Sequence, residues 1–228
     1  MTHMTPRALV VSLVLLAACA PQRIVDRPVP FGEDRIQLTR EYARDHYGLD
    51  VSGIEITPRI IVLHWTAGRS LEGDFRTFSP STLQGSRPDL RKAGELNVGI
   101  HFLVDRDGKI YRLMPETWMA RHVIGLNYHA IGVENVGGMR GVDDLTAEQR
   151  AANIWLVRYL EKKYPTIEYL IGHHEYRVFE GHRLWLERDS TYRTAKSDPG
   201  PAFMGAIRAA VSELGLKGPD EITAERGH

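Results

Sequence analysis

A short apolar run rich in β-branched residues, Ile60-Ile-Val-Leu, leads directly into His64. Such a run predicts a buried strand, and a strand end holds a side chain rigidly at the edge of a sheet. A second apolar run, which ends at Ile171, leads in the same way to His173, and Asp198 lies in a proline-rich turn further along. Two imidazoles and one carboxylate are the ligand set of a catalytic zinc ion with an open fourth position.

The length and charge of the chain limit the classes of protein it can belong to. A chain of 228 residues with 43% hydrophobic and 25% charged residues is typical of one globular domain with an extension. Lys+Arg and Asp+Glu number 29 each, so no dominant basic surface is expected. The balance argues against nucleic acid as a partner. We expect a monomer.

The N-terminus has the features of an export signal. Arg7 precedes the apolar run 8–18, which is too short to span a bilayer comfortably, and the run ends at Cys19, the only cysteine in the chain. The approach Leu-Ala-Ala-Cys resembles a bacterial lipobox, whose cysteine is lipidated. We therefore expect a signal peptide at 1–18 and a membrane anchor at Cys19. Ala20 after the cysteine suggests the outer membrane of a Gram-negative bacterium, facing the periplasm. The alternative is a plain secretory signal with an incidental cysteine.

The remaining pattern predicts one α/β domain with a mixed sheet flanked by helices. Thr146-Ala-Glu-Gln has the form of a capping box and predicts a helix over 147–163, and Pro201 begins a second helix that ends at Gly215. We assign 19–57 to a lipidated tether and N-terminal extension with a short helix near 35–44, 58–215 to the catalytic domain and 216–228 to a polar tail. The predicted strands are 59–64, 97–104, 109–113, 130–136 and 168–171, with a hairpin turn at 105–108.

Five segments, which together carry six motifs in the family's order, resemble a known family. They surround His64, 97–111, 121–138, Gly172-His173 and 196–203, and they are similar to the type-2 N-acetylmuramoyl-L-alanine amidases. These are zinc enzymes related in fold to the peptidoglycan recognition proteins and the phage amidase lysozymes. The resemblance runs from about residue 58 to 214. It implies an amidase-like fold, with zinc bound by His64, His173 and Asp198.

The resemblance also implies roles for residues around the metal. Glu134 matches the family's acidic residue and is expected to act as general base towards the attacking water and then as acid towards the leaving amine. Lys196 is expected to stabilise the developing oxyanion. His122 matches a histidine that lines the family's cleft, which implies substrate binding. His101 also matches the family, and we interpret it as structural.

The chain departs from the family between His173 and Asp198. The 24 residues between them form an insertion that contains His174, Glu175, Arg177, His182, Arg183, Trp185 and Arg188. His174 and Glu175 are alternative metal ligands. We expect the insertion to form one wall of a groove, with its arginines and Trp185 suited to a stem-peptide carboxylate and to the apolar face of a sugar.

The leading hypothesis is zinc-dependent hydrolysis of the amide between N-acetylmuramic acid and L-alanine of the peptidoglycan stem peptide, in cell-wall turnover or recycling. The first alternative is a non-catalytic peptidoglycan-binding lipoprotein. The second is a lipoprotein with a purely structural role. Whether the substrate is the intact sacculus or a soluble muropeptide stays open.

Overall fold

The computed structural model describes residues 22–85 and 87–226. The expected signal peptide and Cys19 therefore lie outside the described residues. Within the described part, no helix combines the length and the hydrophobicity that a bilayer crossing requires.

The described residues form a six-stranded mixed sheet with helices on both faces, as the α/β pattern predicted. The strands are β1 (Ile24–Asp26), β2 (Ile60–Trp65), β3 (Phe102–Val104), β4 (Ile110–Arg112), β5 (Ala130–Asn135) and β6 (Tyr169–Gly172), in the spatial order β1-β4-β3-β5-β2-β6. Neighbouring strands are parallel except for the hairpin of β3 and β4. The predicted turn joins this hairpin, and Gly108 supplies its positive φ of 81°.

The helices are α1 (Glu33–Tyr42), α2 (Leu71–Phe78), α3 (Pro88–Arg91), α4 (Ala147–Lys163), α5 (Pro201–Ala210) and α6 (Pro219–Glu225). A π-helical turn, Ala43–Tyr47, follows α1, and short 3-10 helices span Met139–Gly141, His173–Phe179 and Ser212–Leu214. The α4 bounds match the prediction because the capping box of Thr146 and Gln149 forms as expected.

The two faces of the central strand β2 have different coverings. Ile61 and Leu63 point towards a core formed with α4 and α5. Ile60 and Val62 point to the other face, where the insertion and α6 cover them. Because side chains alternate along a strand, His64 leaves the sheet on the same face as Ile60 and Val62. The insertion therefore covers the face of the sheet that carries His64.

Three local expectations differ from the structure. The segment 97–104 is a strand only over Phe102–Val104, because the backbone N–H groups of Asn97 and Gly99 donate to the carbonyls of Ser81 and Arg121, outside the sheet. Residues 24–26 add a parallel edge strand to β4, so the extension joins the sheet where a tether was expected. The expected polar tail contains α6, which packs its fully buried Ile222 on the domain.

Candidate active site

The three predicted metal ligands meet at the carboxyl ends of β2 and β6. His64 Nδ1 lies 2.9 Å from His173 Nδ1, and the carboxylate Oδ2 of Asp198 lies 3.0 Å from His173 Nδ1 and 3.3 Å from His64 Nδ1. The two histidines are buried and the aspartate is partly buried. Three donor atoms thus converge from three distant parts of the chain.

Backbone pairing explains this convergence. The ladder between β2 and β6 ends with Leu63 opposite Gly172, so His64 and His173 are the next residues on neighbouring parallel strands. The backbone of Asp198 is held next to His173, because the backbone N–H of the following residue, His174, donates to the Asp198 carbonyl at 2.8 Å. The sheet therefore fixes two of the ligands and helps to fix the third.

The donor set suits a zinc ion. Four tetrahedral ligands at zinc's usual 2.0–2.2 Å are roughly 3.4 Å apart, close to the spacings found here. Burial lowers the pKa of His64, and it lowers the pKa of His173 to about 4, so both imidazoles are neutral. Burial works to raise the pKa of Asp198, but the two imidazoles beside it lower that pKa well below its usual range. Neutral imidazoles and an ionised carboxylate are the states that bind a metal.

The alternative ligands in the insertion have other partners. Glu175 forms an ion pair with Arg208 and accepts a hydrogen bond from the backbone N–H of Gly172. The Nδ1 atom of His174 faces the Asp198 carbonyl oxygen at 3.2 Å. His182 faces Glu225, and Glu187 faces His46. Within the described residues, the cluster that could hold a metal is His64, His173 and Asp198.

A chain of hydrogen bonds sets the tautomer of His64. His64 Nε2 lies 3.1 Å from His122 Nδ1, and His122 Nε2 lies 3.3 Å from the carbonyl of Ala130. The carbonyl only accepts, so His122 carries its proton on Nε2 and accepts from His64 Nε2–H. Burial, followed by the neighbouring His64, holds the pKa of His122 well below its ordinary value, so it stays neutral. The arrangement leaves the Nδ1 lone pair of His64 free to bind a metal.

Glu134 lies beside the metal cluster. It is the register partner of His64 on β5 and lines the same cleft, and its Oε2 atom is buried without a hydrogen-bond partner. Burial raises its pKa well above the usual value, and the nearby carboxylates of Asp198 and Asp74 add to this effect. A partly buried carboxylate with a raised pKa and a free oxygen is suited to accepting a proton.

Lys196 lines the cleft together with the metal cluster. Burial is the main cause of the lowered pKa of His64 and of His173, the positive charge of Lys196 adds to it, and the same charge works against the rise in the pKa of Glu134. The ammonium group is therefore close enough to influence both the metal ligands and the Glu134 carboxylate electrostatically. An oxyanion that forms there would be stabilised by it.

The cleft encloses about 220 Å³. The metal cluster, Glu134, Lys196 and His122 line it, and its walls also include Trp65, Phe78, Arg87, Arg121, Tyr42 and Tyr192. Sequence reasoning did not assign Tyr42, Arg121 or Tyr192 to the site. Tyr42 lies on α1, outside the span of the family resemblance, so no motif marked it.

The insertion forms part of the cleft wall, but through other residues than those expected. Tyr192, Thr194 and Lys196 line the cleft. Trp185 instead stacks on Tyr176, and its Nε1 donates to the Glu187 carbonyl.

The arginines named for carboxylate binding also have other contacts. Arg177 pairs with Glu180 and Arg183 pairs with Glu168, while the guanidinium of Arg188 lies against Gly48. Trp185 and these three arginines do not line the cleft with the metal cluster, and their expected binding of sugar and carboxylate stays a prediction. The middle of the insertion packs on the domain.

Comparison with known proteins identifies the family. The family model described as N-acetylmuramoyl-L-alanine amidase (Amidase_2) matches residues 55–201, more than half of the chain. The chain belongs to the N-acetylmuramoyl-L-alanine amidase family. The match includes the metal cluster, Glu134 and Lys196, and it ends at the first residue of α5.

Three relatives of known sequence or structure are similar to the chain at 21–33% identity. The chain is 33% identical over 90 residues to the endolysin of Escherichia phage T7, which covers 37% of this chain and 58% of the endolysin. The solved structure of the N-acetylmuramoyl-L-alanine amidase LysC from Clostridium intestinale is similar at a TM-score of 0.50 and 22% identity, over 83% of this chain and 97% of that one. A selenomethionine derivative of AmpD matches at a TM-score of 0.50 and 21% identity, over 84% and 95% of the two chains. At these identities the two structures show that the amidase fold is shared.

Proposed function

We propose that the protein is a zinc-dependent amidase that hydrolyses the bond between N-acetylmuramic acid and L-alanine in peptidoglycan or its fragments. The observation that carries the proposal is the convergence of His64, His173 and Asp198 next to Glu134 in a member of this amidase family. We assign the activity to cell-wall turnover or recycling.

The residues of the cleft have separate roles in the proposed reaction. A zinc ion held by His64, His173 and Asp198 would act as a Lewis acid on the substrate carbonyl and lower the pKa of a water molecule. Glu134 accepts the proton of the attacking water and returns it to the leaving amine of L-alanine. Lys196 stabilises the negative charge that develops on the carbonyl oxygen.

A non-catalytic peptidoglycan-binding protein is the second candidate. It would need the cleft but neither the metal ligands nor a buried base. The Oε2 atom of Glu134 is buried without a hydrogen-bond partner, which lowers stability, so its presence favours a catalytic role. The zinc content of the purified domain separates the two candidates.

Digestion of a defined muropeptide, followed by mass spectrometry of the products, tests the activity. We expect two products, the glycan with a free lactyl carboxyl group and the stem peptide with a free L-alanine amine. Binding of the muropeptide without cleavage would support the second candidate instead.

We further propose that Cys19 is lipidated and anchors the protein in the outer membrane, facing the periplasm. The signal-type apolar run, the small residues that precede Cys19 and the presence of a single cysteine in the chain support this proposal. Acyl chains contribute about 0.8 kcal/mol per buried CH₂, so several chains anchor a protein firmly. Cys19→Ala protein should leave the membrane fraction, and recovery with the parental distribution would contradict the proposal.

A further inference from the structure

Three residues, Tyr42, Arg121 and Tyr192, form a group in the cleft that the proposed reaction does not use. Tyr42 is the last residue of α1. Arg121 precedes His122, whose side chain contacts the metal ligand His64, and Tyr192 lies in the insertion. All three line the cleft that contains the metal ligands, and all three are buried. We call them the Tyr42–Arg121–Tyr192 group. They come from three separate parts of the chain and meet at one place.

This group contains hydrogen-bond donors without acceptors. The Tyr42 hydroxyl and the Arg121 Nε atom are buried and have no hydrogen-bond partner. The hydroxyls of Tyr42 and Tyr47 lie close enough for each to influence the pKa of the other, but the pair does not meet hydrogen-bond geometry, so the Tyr42 proton has no acceptor. The Tyr192 hydroxyl accepts from Arg121 Nη2 at 3.2 Å, which leaves its own proton free. Buried donors without partners are costly, so a ligand that accepts from them is favoured.

The charge of the group selects the type of acceptor. The other Arg121 nitrogens donate to the carbonyls of Gly94, Leu96 and Leu90, and in the described part of the chain no carboxylate pairs with this guanidinium. Its carbon lies 5.0 Å from the centre of the Tyr42 ring. Burial raises the pKa of Tyr42, so its hydroxyl stays protonated and can donate. A buried positive charge with protonated donors around it suits an anion better than a neutral carbonyl.

We propose that the Tyr42–Arg121–Tyr192 group is a subsite for a carboxylate of the substrate's peptide. This inference rests on the proposed function for the identity of the substrate. Under it, the N-terminal extension is part of the binding site, because Tyr42 lies on α1. The subsite would hold the peptide side of the scissile amide while the metal cluster acts on the amide itself.

Tyr42→Phe tests the subsite cleanly. The substitution removes a hydroxyl that has no partner in the protein, so the fold should be unaffected, whereas Arg121 also holds three backbone carbonyls and is a poorer choice. Tyr47→Phe is the matched control. Tyr47 is also buried, but its hydroxyl accepts from Asn127 at 2.9 Å and it does not line the cleft.

The measurement is calorimetric binding of a synthetic stem peptide with free carboxyl groups, compared with the same peptide in which every carboxyl group is an amide. We expect the parent and Tyr47→Phe proteins to prefer the acid. Tyr42→Phe should lose roughly 10–100-fold in affinity for the acid, the range of a hydrogen bond to a charged group, and less than about threefold for the amide. Equal affinity of the parent for both peptides, no binding of the acid, or an unchanged preference in Tyr42→Phe would overturn the proposal.

The binding measurement is independent of catalysis. A parent protein that cleaves muropeptides without preferring the acid peptide would contradict the subsite and leave the amidase function intact. A parent protein that prefers the acid peptide through Tyr42 but cleaves nothing would support the subsite and contradict the hydrolytic function.

Discussion

His64 and Glu134 are register partners on the adjacent parallel strands β2 and β5. Register partners on parallel strands project to the same face of the sheet, so the backbone ladder places a metal ligand and a partly buried carboxylate side by side. Neither position depends on a loop. The sheet itself sets the distance between the metal cluster and the proposed base, which is the arrangement that a precise proton transfer needs.

Glu134→Gln should retain zinc but lose turnover by roughly 10²–10⁴-fold, because the amide cannot accept the proton of the attacking water. Steady-state kinetics with a defined muropeptide measures this. Glu116→Gln is the control, since the Glu116 carboxylate is also buried but contacts Lys163 and Tyr164 outside the cleft. Parental turnover in Glu134→Gln would show that another group is the base.

Lys196→Met should lower kcat by roughly 10²–10³-fold with little change in KM, because the oxyanion forms only as the amide becomes tetrahedral. The methionine keeps the length of the side chain and removes its charge. Lys92→Met is the control, since Lys92 is largely exposed and does not line the cleft. An increase in KM at constant kcat would assign Lys196 to ground-state binding.

The stability of the fold should decrease as the pH falls from about 6.5 to about 4, in part because of His101. Its Nδ1 accepts from the Gly132 N–H at 3.0 Å, its Nε2–H donates to the Trp118 carbonyl at 2.8 Å, and burial lowers its pKa to about 4. The unfolded chain, with a histidine pKa of about 6.5, binds the proton first, so this one group removes up to ~1.4 kcal/mol of stability per pH unit in that window.

Urea unfolding at several pH values checks this contribution. His101→Gln keeps an acceptor and a donor at the site but cannot titrate, so its free energy of unfolding should depend less steeply on pH by about one proton. Identical slopes for the parent and His101→Gln between pH 4 and 6.5 would show that His101 does not take part.

The sequence predicted the elements whose determinants are local. The helix Ala147–Lys163 follows from the capping box at Thr146, and His64 and His173 were found because an apolar run leads to each of them. It missed β1, because Ile24–Asp26 is short and is defined only by its pairing with β4. It also missed the helix Pro219–Glu225, whose one fully buried residue, Ile222, gives little periodicity.

Long-range packing explains what the sequence could not predict in the site. The contact of His122 with His64 depends on how the loop before β5 folds over β2. Tyr42 enters the cleft because the end of α1 packs beside the insertion, where His46, in the π-helical turn after α1, contacts the buried Glu187. No sequence motif near His122 or Tyr42 indicates either of these contacts.

The metal content of the purified protein tests the central claim most directly. We expect one zinc per chain in the parent, and loss of most of it in His64→Ala, because two remaining ligands do not hold a catalytic zinc well. His182→Ala should retain the metal, since His182 is also buried but contacts Glu225. A parent protein without zinc, or full zinc occupancy in His64→Ala, would contradict the account.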